Sequence, residues 1–509
     1  MPSPAVIHAW ASGSGLTLGR ASTVALAAAA TALLAVLHRD ALVGCYGFLD
    51  DYALIDPARR FPEGSFLSWM LAEGRPLYGL LLNAAFLPIS DVCDLRWLRL
   101  VNVALVALIG LQCHGLAVRG GWPRPMAVAL SMLVLSAPGF AVAIAWATLI
   151  GPLAAIACGL AAARLASAPA GEAGPIPARR GTAAVALLIA GLALYQPGAM
   201  AFLPGLAIVL APRRADAALL RAHVLPAGAV LAAAVGIYGV LFLLAGMQVD
   251  GDLVSTRAEI VHDPAGKAAW FVGVALRQSL NLFNIAPVPR FGFAIALLIV
   301  TGAWARQRQA PATALALALQ AVAVVLAFLP NLTVQESWPS FRASLPMTMT
   351  IAVLAAAAAV ALAERISRVL GPALAVTAIA GAAAYGMAAT AAATSRGIVD
   401  LQVAEWSVLQ RALRAIEPTD PRPIVLLRAD PALPASCERW QRFDELAIPS
   451  SSRVFAAEGM RRLGWRAVHG GPPPDRFTIA GPDGAAAGDR IVIDLGAALD
   501  ARADALCGG

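Results

Sequence analysis

Lysine is almost missing from this 509-residue chain, Lys267 being the one example, so nearly all 38 basic residues are arginine. Any phosphate recognition therefore falls to the planar guanidinium fork, which suits bidentate binding. Charge of either sign is scarce, at 14% of residues, and the long apolar runs hold almost none of it. That distribution counts against ion-coupled transport, which needs acids or histidines inside the membrane. A net charge of +7 does not signal a nucleic-acid partner, because the arginines are scattered through short loops between apolar runs and read as topology signals. No CxxC, HExxH or histidine cluster occurs, which argues against a structural zinc site or a zincin. P-loop, GxGxxG and GxSxG signatures in their required contexts are also missing.

Apolar residues are what the chain has in excess: 59% of it is hydrophobic and the mean hydropathy is +0.72. The fold class expected is an all-α polytopic membrane protein with a small C-terminal α/β domain. About 20 apolar residues cross a bilayer. About eleven crossings are expected on that basis: Ala21 to Leu37, Trp97 to Val118, two within Met126 to Leu165, two within Thr182 to Ala211, Val224 to Ala245, Ile285 to Trp304, Pro311 to Leu329, Leu345 to Ala363 and Gly371 to Ala391. The first reads as an uncleaved anchor. Thr182 to Ala211 is broken by Pro197-Gly198 and Pro204; it is either two short cavity-lining arms or one long kinked helix.

Arginines in five alternate connections mark the cytoplasmic loops: Arg119 and Arg124, Arg164 to Arg180, Arg213 and Arg214, Arg306 and Arg308, Arg365 and Arg368. Parity then makes Pro76 to Ile89 a non-crossing helix in the outer interface, since its 14 residues reach only about 21 Å. Residues 1–395 form the expected transmembrane domain, with 38–96 as its first outer loop, and 396–509 an outer soluble domain. In that tail, Val403, Trp406, Leu409, Leu413 and Ile416 recur at helical spacing, Ile424 to Leu427 reads as a strand, and Ser451 or Ser452 caps a helix ending at Gly464. Phe477 to Ile479 and Ile491 to Asp494 are expected to pair as strands. Cys45 with Cys93 and Cys437 with Cys507 are candidate disulfides on the oxidising side.

The polar chemistry collects in the outer loops. Asp50, Asp51, Asp56, Glu63, Glu73 and Arg75 crowd the first; Arg257, His262, Asp263 and Lys267 stand in a later one, and Glu336, Trp338 and Arg342 precede a span. An acid beside arginines suits group transfer, the acid taking a proton from an acceptor hydroxyl while the cations hold a phosphate leaving group. Read as residues alone, Asp50-Asp51 is equally a solvated pair at a helix start, Arg75 is equally an interfacial anchor, and an arginine placed like Arg342 at the mouth of a span is more often an anchor than a ligand. Phe443-Asp444-Glu445 reads as ordinary helix-start chemistry. Adjacent carboxylates also suit a divalent metal, Mg²⁺ or Mn²⁺.

Phe48-Leu49-Asp50-Asp51-Tyr52, Gly74-Arg75-Pro76-Leu77 and Leu194-Tyr195-Gln196, with this topology, resemble the GT-C class of membrane glycosyltransferases, and within it the GtrII-like O-antigen glucosyltransferases. The resemblance implies an inverting hexosyltransferase that takes sugar from a polyprenyl-phosphate carrier and passes it to a glycan or glycolipid of the cell envelope, such as lipopolysaccharide, outside the bacterial cytoplasmic membrane. It implies Asp51 or Asp50 as base, with a slight preference for Asp51. Arg75, Arg342, Tyr195, Gln196 and Glu336 are the expected substrate contacts. The alternatives are a transporter or flippase of lipid-linked saccharide and a polysaccharide polymerase or ligase.

Overall fold

A computed structural model of the chain describes residues 20–60, 66–169, 176–246, 259–286, 288–307, 310–430, 445–482, 484 and 489–500. Phe61, Glu63, Arg257, Arg308, Phe443, Asp444 and the Cys437–Cys507 pair lie outside the described residues. The architecture is helical, with a small parallel sheet near the C-terminus. Every one of the eleven apolar segments is helical, as hydrocarbon demands of a backbone that must satisfy its own N–H and C=O groups.

Among the described residues, five helices are long and apolar enough to cross a membrane: Val92–Gly120, Ala147–Leu165, Ala217–Leu244, Phe341–Ile366 and Gly371–Arg414. The pair Arg124–Leu135 and Pro138–Ala145, bent by 61° between its halves, makes a sixth if it is counted as one broken span rather than a re-entrant loop. The chain is thus a multi-pass membrane protein, with several of the expected crossings shorter than a full span. Phe341–Ile366 is buried almost all round over its first 18 residues and forms the axis of the bundle. Pro76–Phe86 is an 11-residue helix, too short to cross, with Tyr78, Leu82 and Phe86 turned inward. Thr182 to Ala211 forms two arms, Ala178–Leu194 and a run from Gln196 to Leu210, parted at Tyr195.

The basic connections gather at one end of the bundle, where four of their arginines cap carbonyls of a neighbouring connection. Arg119 donates to Ser167 O (2.7 Å), Arg213 to Ala168 O (3.1 Å), Arg306 to Pro212 O (2.7 Å) and Arg365 to Ala305 O (2.8 Å). The first loop and the tail meet at another end. Cys45 and Cys93 are disulfide-bonded, tying the acidic turn to the start of the span after it. Arg99, fully buried, donates to the carbonyls of Ala41 and Gly44 at 3.1 Å and to that of Tyr46. Asp56, on the helix Asp50–Arg60, pairs with Arg462 at 3.7 Å and with Arg466 on the tail helix. Gly459 of that helix lies where a Cβ would come within 2.3 Å of Tyr52 O, so glycine permits the close approach.

The tail departs from its expected details. Leu401–Arg414 and the strand β1, Ile424–Leu427, form as read. β2 (Phe477–Ala480) and β3 (Ile491–Asp494) do not pair with each other; each lies parallel to β1, in the order β2-β1-β3. The fully buried strand takes the centre. The helix Val454–His469 lacks a serine cap and runs through Gly464 to Gly470, whose φ of +80° ends it in a left-handed turn. Gly464 instead marks contact, as its missing Cβ would meet Leu413 at 3.0 Å. At the proposed 395/396 boundary the backbone stays helical from Gly371 to Arg414, so composition changes there while the helix does not.

Candidate active site

Asp50 and Asp51 open the helix Asp50–Arg60, where carboxylates suit the positive helix terminus. Consecutive helical residues are turned by about 100°, so the pair divides. Asp51 points inward at 0% exposure, its Oδ2 accepting the Phe48 N–H and its Oδ1 the Thr148 N–H, both at 3.0 Å. Asp50 lines a cavity of about 300 Å³. Both Asp51 oxygens are thus committed to backbone N–H groups, while Asp50 is the member of the pair that lines the cavity. Leu49, just before them, sits at φ +44°, a left-handed conformation that costs an L-residue about 1–2 kcal/mol.

Burial pushes the Asp51 carboxyl up to about 7, against the pull of Arg99 and of the two N–H donors. A folded-state pKa raised above the unfolded one gives stability that is present below about pH 4 and lost as pH rises toward 7. Asp51→Asn removes that dependence but turns an NH₂ toward one of two N–H donors. The destabilisation by D51N is expected to be largest near pH 4, about 1–3 kcal/mol or more, and to shrink by up to about 1.4 kcal/mol per pH unit toward pH 7. Thermal unfolding of both proteins across that range checks it.

Arg75, Tyr195, Gln196, Glu336 and Arg342 line the same cavity as Asp50. Residues separated by almost 300 positions are therefore brought together, and Asp51 alone of the expected set stays out. Arg75 precedes the helix Pro76–Phe86, pairs with Glu73 at 3.1 Å, donates from Nε to Gln196 Oε1 at 2.9 Å and lies 5.0 Å over the Tyr195 ring. Tyr195 is extended (φ −164°, ψ 107°) between its two helical arms, which delivers it and Gln196 to the cavity wall. Gln196 Nε2 donates to Glu73 O (3.0 Å), Gly74 O (3.2 Å) and the Tyr238 hydroxyl (2.8 Å), and Tyr238 donates to Gly74 O.

Gly74 adopts φ +70°, and a Cβ there would meet Phe242 at 2.6 Å and the Tyr238 hydroxyl at 2.8 Å. Gly74→Ala is expected to cost about 1–2 kcal/mol in backbone strain alone and to displace Arg75. The measurement is a lowered melting temperature.

Arg342 stands in the first turn of Phe341–Ile366, 3.3 Å from Glu445 Oε1 and 4.4 Å over the Trp146 ring. It is within electrostatic reach of Asp50. Lys267 does not line the cavity; its Nζ donates to Glu336 O (2.6 Å) and Ser337 Oγ (3.3 Å), fixing the segment that carries Glu336 and Trp338. Apolar lining from Leu82, Leu192, Pro197, Val235 and Phe242 completes the wall.

No family model matches this chain, and neither does any curated protein. Among solved structures it is similar to ArnT from Cupriavidus metallidurans bound to undecaprenyl phosphate: 15% identity, 91% of this chain and 90% of that one covered, TM-score 0.43. It is also similar to the apo state of ArnT from the same organism, at 14% identity, 84% coverage of each chain and a TM-score of 0.40.

Sequence reasoning missed Tyr238, hidden as a lone hydroxyl in an apolar span, and Arg99, whose three carbonyl partners lie more than 50 residues before it. Glu445 was read as local helix-start chemistry. It does serve a helix start, but one about 100 residues earlier, accepting the N–H groups of Phe341 (2.5 Å) and Arg342 (3.3 Å). The two adjacent carboxylates diverge, with Asp51 bonded to backbone N–H groups and Asp50 lining the cavity. Among the described residues no three His, Cys, Asp or Glu side chains are grouped to hold a metal.

Proposed function

We propose that this protein is a GT-C-type membrane glycosyltransferase that moves a sugar from a polyprenyl-phosphate carrier to a glycan or glycolipid acceptor at the outer face of a bacterial cytoplasmic membrane. The observation that carries the reading is the meeting of Asp50, Arg75 and Arg342 in one cavity with an apolar wall. An anionic lipid headgroup needs fixed cations beside hydrocarbon, and a hydroxyl acceptor needs a base. Asp50 takes the proton of the acceptor hydroxyl as its oxygen bonds to the sugar's anomeric carbon. The bond from that carbon to the phosphate oxygen breaks with its electron pair on the phosphate, where Arg75 and Arg342 offset the charge. A single displacement inverts the anomeric centre. Tyr195, Gln196 and Glu336 remain substrate contacts in this reading, and no step passes through a metal.

The outward orientation is supported by the arginine-capped connections gathered at one end and by the Cys45–Cys93 bond, which belongs on an oxidising side. Mass analysis of glycolipids and envelope glycans from a deletion strain tests the class. Loss of one sugar from the acceptor, with its polyprenyl-phosphate donor accumulating, is the expected result. Accumulation of unflipped carrier would instead mean transport, and unpolymerised or unligated repeat units would mean a polymerase or ligase. A chelator titration of transfer activity decides metal dependence.

A further inference from the structure

Residues Glu445 to Ser452 form a strap between the tail and the cavity, and its two ends touch two different parts of the machinery. At one end Glu445, with no exposure, holds Arg342 and both N–H groups at the start of its helix. At the other, Ser450 Oγ accepts the N–H of Leu49 at 2.9 Å and donates to Gln402 Oε1 at 2.6 Å. Leu49 is the left-handed residue immediately before Asp50, so this bond holds the turn that aims Asp50 into the cavity.

The strap itself is anchored on one helical run. The Ala447 N–H donates to Gly397 O (2.7 Å), Gln402 Nε2 to Ile448 O (2.7 Å), and the N–H groups of Ser450 and Ser451 to Glu405 at 2.8 and 3.0 Å. Gln402, Glu405, Glu445, Ser450 and Ser451 all show 0% exposure. A buried, satisfied network of this kind specifies geometry, since no water can substitute for a lost partner.

We propose that this strap is a positioning device that sets the base and the phosphate cation separately: Ser450 aims Asp50 through Leu49, while Glu445 holds Arg342. The inference rests on the reading of Asp50 and Arg342 given above. A merely structural strap would make damage at either end look alike, whereas a two-ended positioning device splits the kinetic parameters.

The test uses the purified full-length protein in lipid nanodiscs with a polyprenyl-phosphate-sugar donor. Ser450→Ala is expected to lower kcat about tenfold, with the donor KM within about twofold. Glu445→Gln is expected to raise the donor KM about tenfold, with kcat within about threefold. Leu49→Gly supplies a second arm. Glycine takes the turn unaided, so S450A made on the L49G background should cost kcat less than about threefold. If S450A does not yield folded protein by size exclusion, S450C, nearly the same size and a weak acceptor, is read by the same split. Movement of the same parameter by S450A and E445Q, or an undiminished loss on the L49G background, would overturn the proposal. Asp50→Asn in the same assay separates the two levels. An active D50N removes the base assignment itself, whereas an inactive D50N beside an unaffected S450A removes only the positioning role.

Discussion

On the proposed function, Asp50→Asn is expected to lower sugar transfer by about 10²–10⁴-fold, the usual contribution of a general base, with the donor KM nearly unchanged. The asparagine keeps the size and the hydrogen-bonding shape of the side chain, so the cavity and its cations persist while the proton acceptor is lost. Because the base acts only as the new bond forms, the loss belongs in kcat rather than in binding. Asp51→Asn behaves differently: its defect is in stability and follows pH, because its oxygens bind the Phe48 and Thr148 N–H groups. Single-turnover transfer in membranes, with folded protein quantified for each variant, distinguishes the two. Retention of full activity by D50N would remove Asp50 from the chemistry.

Arg342→Gln has the second large effect, and it acts on both stability and function. Removing the guanidinium leaves Glu445 buried without its charge partner, and breaking a buried pair in this way costs about 3–5 kcal/mol. Burial already pushes Glu445 up to about 7, held back first by Arg342 and then by the N–H groups it accepts. Without Arg342 the carboxyl protonates at higher pH, so the stability loss is greater at pH 8 than at pH 5. Adding Glu445→Gln removes the unpaired acid, and R342Q/E445Q is expected to recover most of the stability. On the proposed function activity is not expected to recover with it, since the donor phosphate would lack one of its two cations; kcat/KM is expected to stay down by about 10²-fold. Arg342→Lys keeps the charge and loses the fork, so it falls between. Thermal melts and donor saturation curves on the four proteins check this. Recovery of activity in R342Q/E445Q would exclude Arg342 from substrate binding.

The apolar segments and the strand Ile424–Leu427 were legible because hydropathy and spacing are local signals. Arg75, Glu336 and Arg342 could be gathered as candidates because each stands at a polar interruption beside a span, whereas Tyr195 and Gln196 came only through the resemblance carried by Leu194-Tyr195-Gln196. Which of Asp50 and Asp51 lines the cavity was beyond reach, since that depends on the left-handed turn at Leu49 and on Thr148, 97 residues away. Glu445 looked like a cap for the helix after it because helix-start chemistry is the same wherever the helix lies in the chain. The strand order could not be read either, as parallel pairing depends on the crossover helix Val454–His469 and leaves no local mark. Gly464 misled for a related reason: a glycine admitted for close packing is spelled the same as one that ends a helix.

The uninterrupted helical run from Gly371 to Arg414 has 44 residues and therefore a contour of about 66 Å. It works as a mast, rooted among the spans and carrying on its far portion the anchor points of the Glu445–Ser452 segment. The Glu445–Ser452 segment is therefore moored, through Gly397, Gln402 and Glu405, to the same rod that is rooted among the spans.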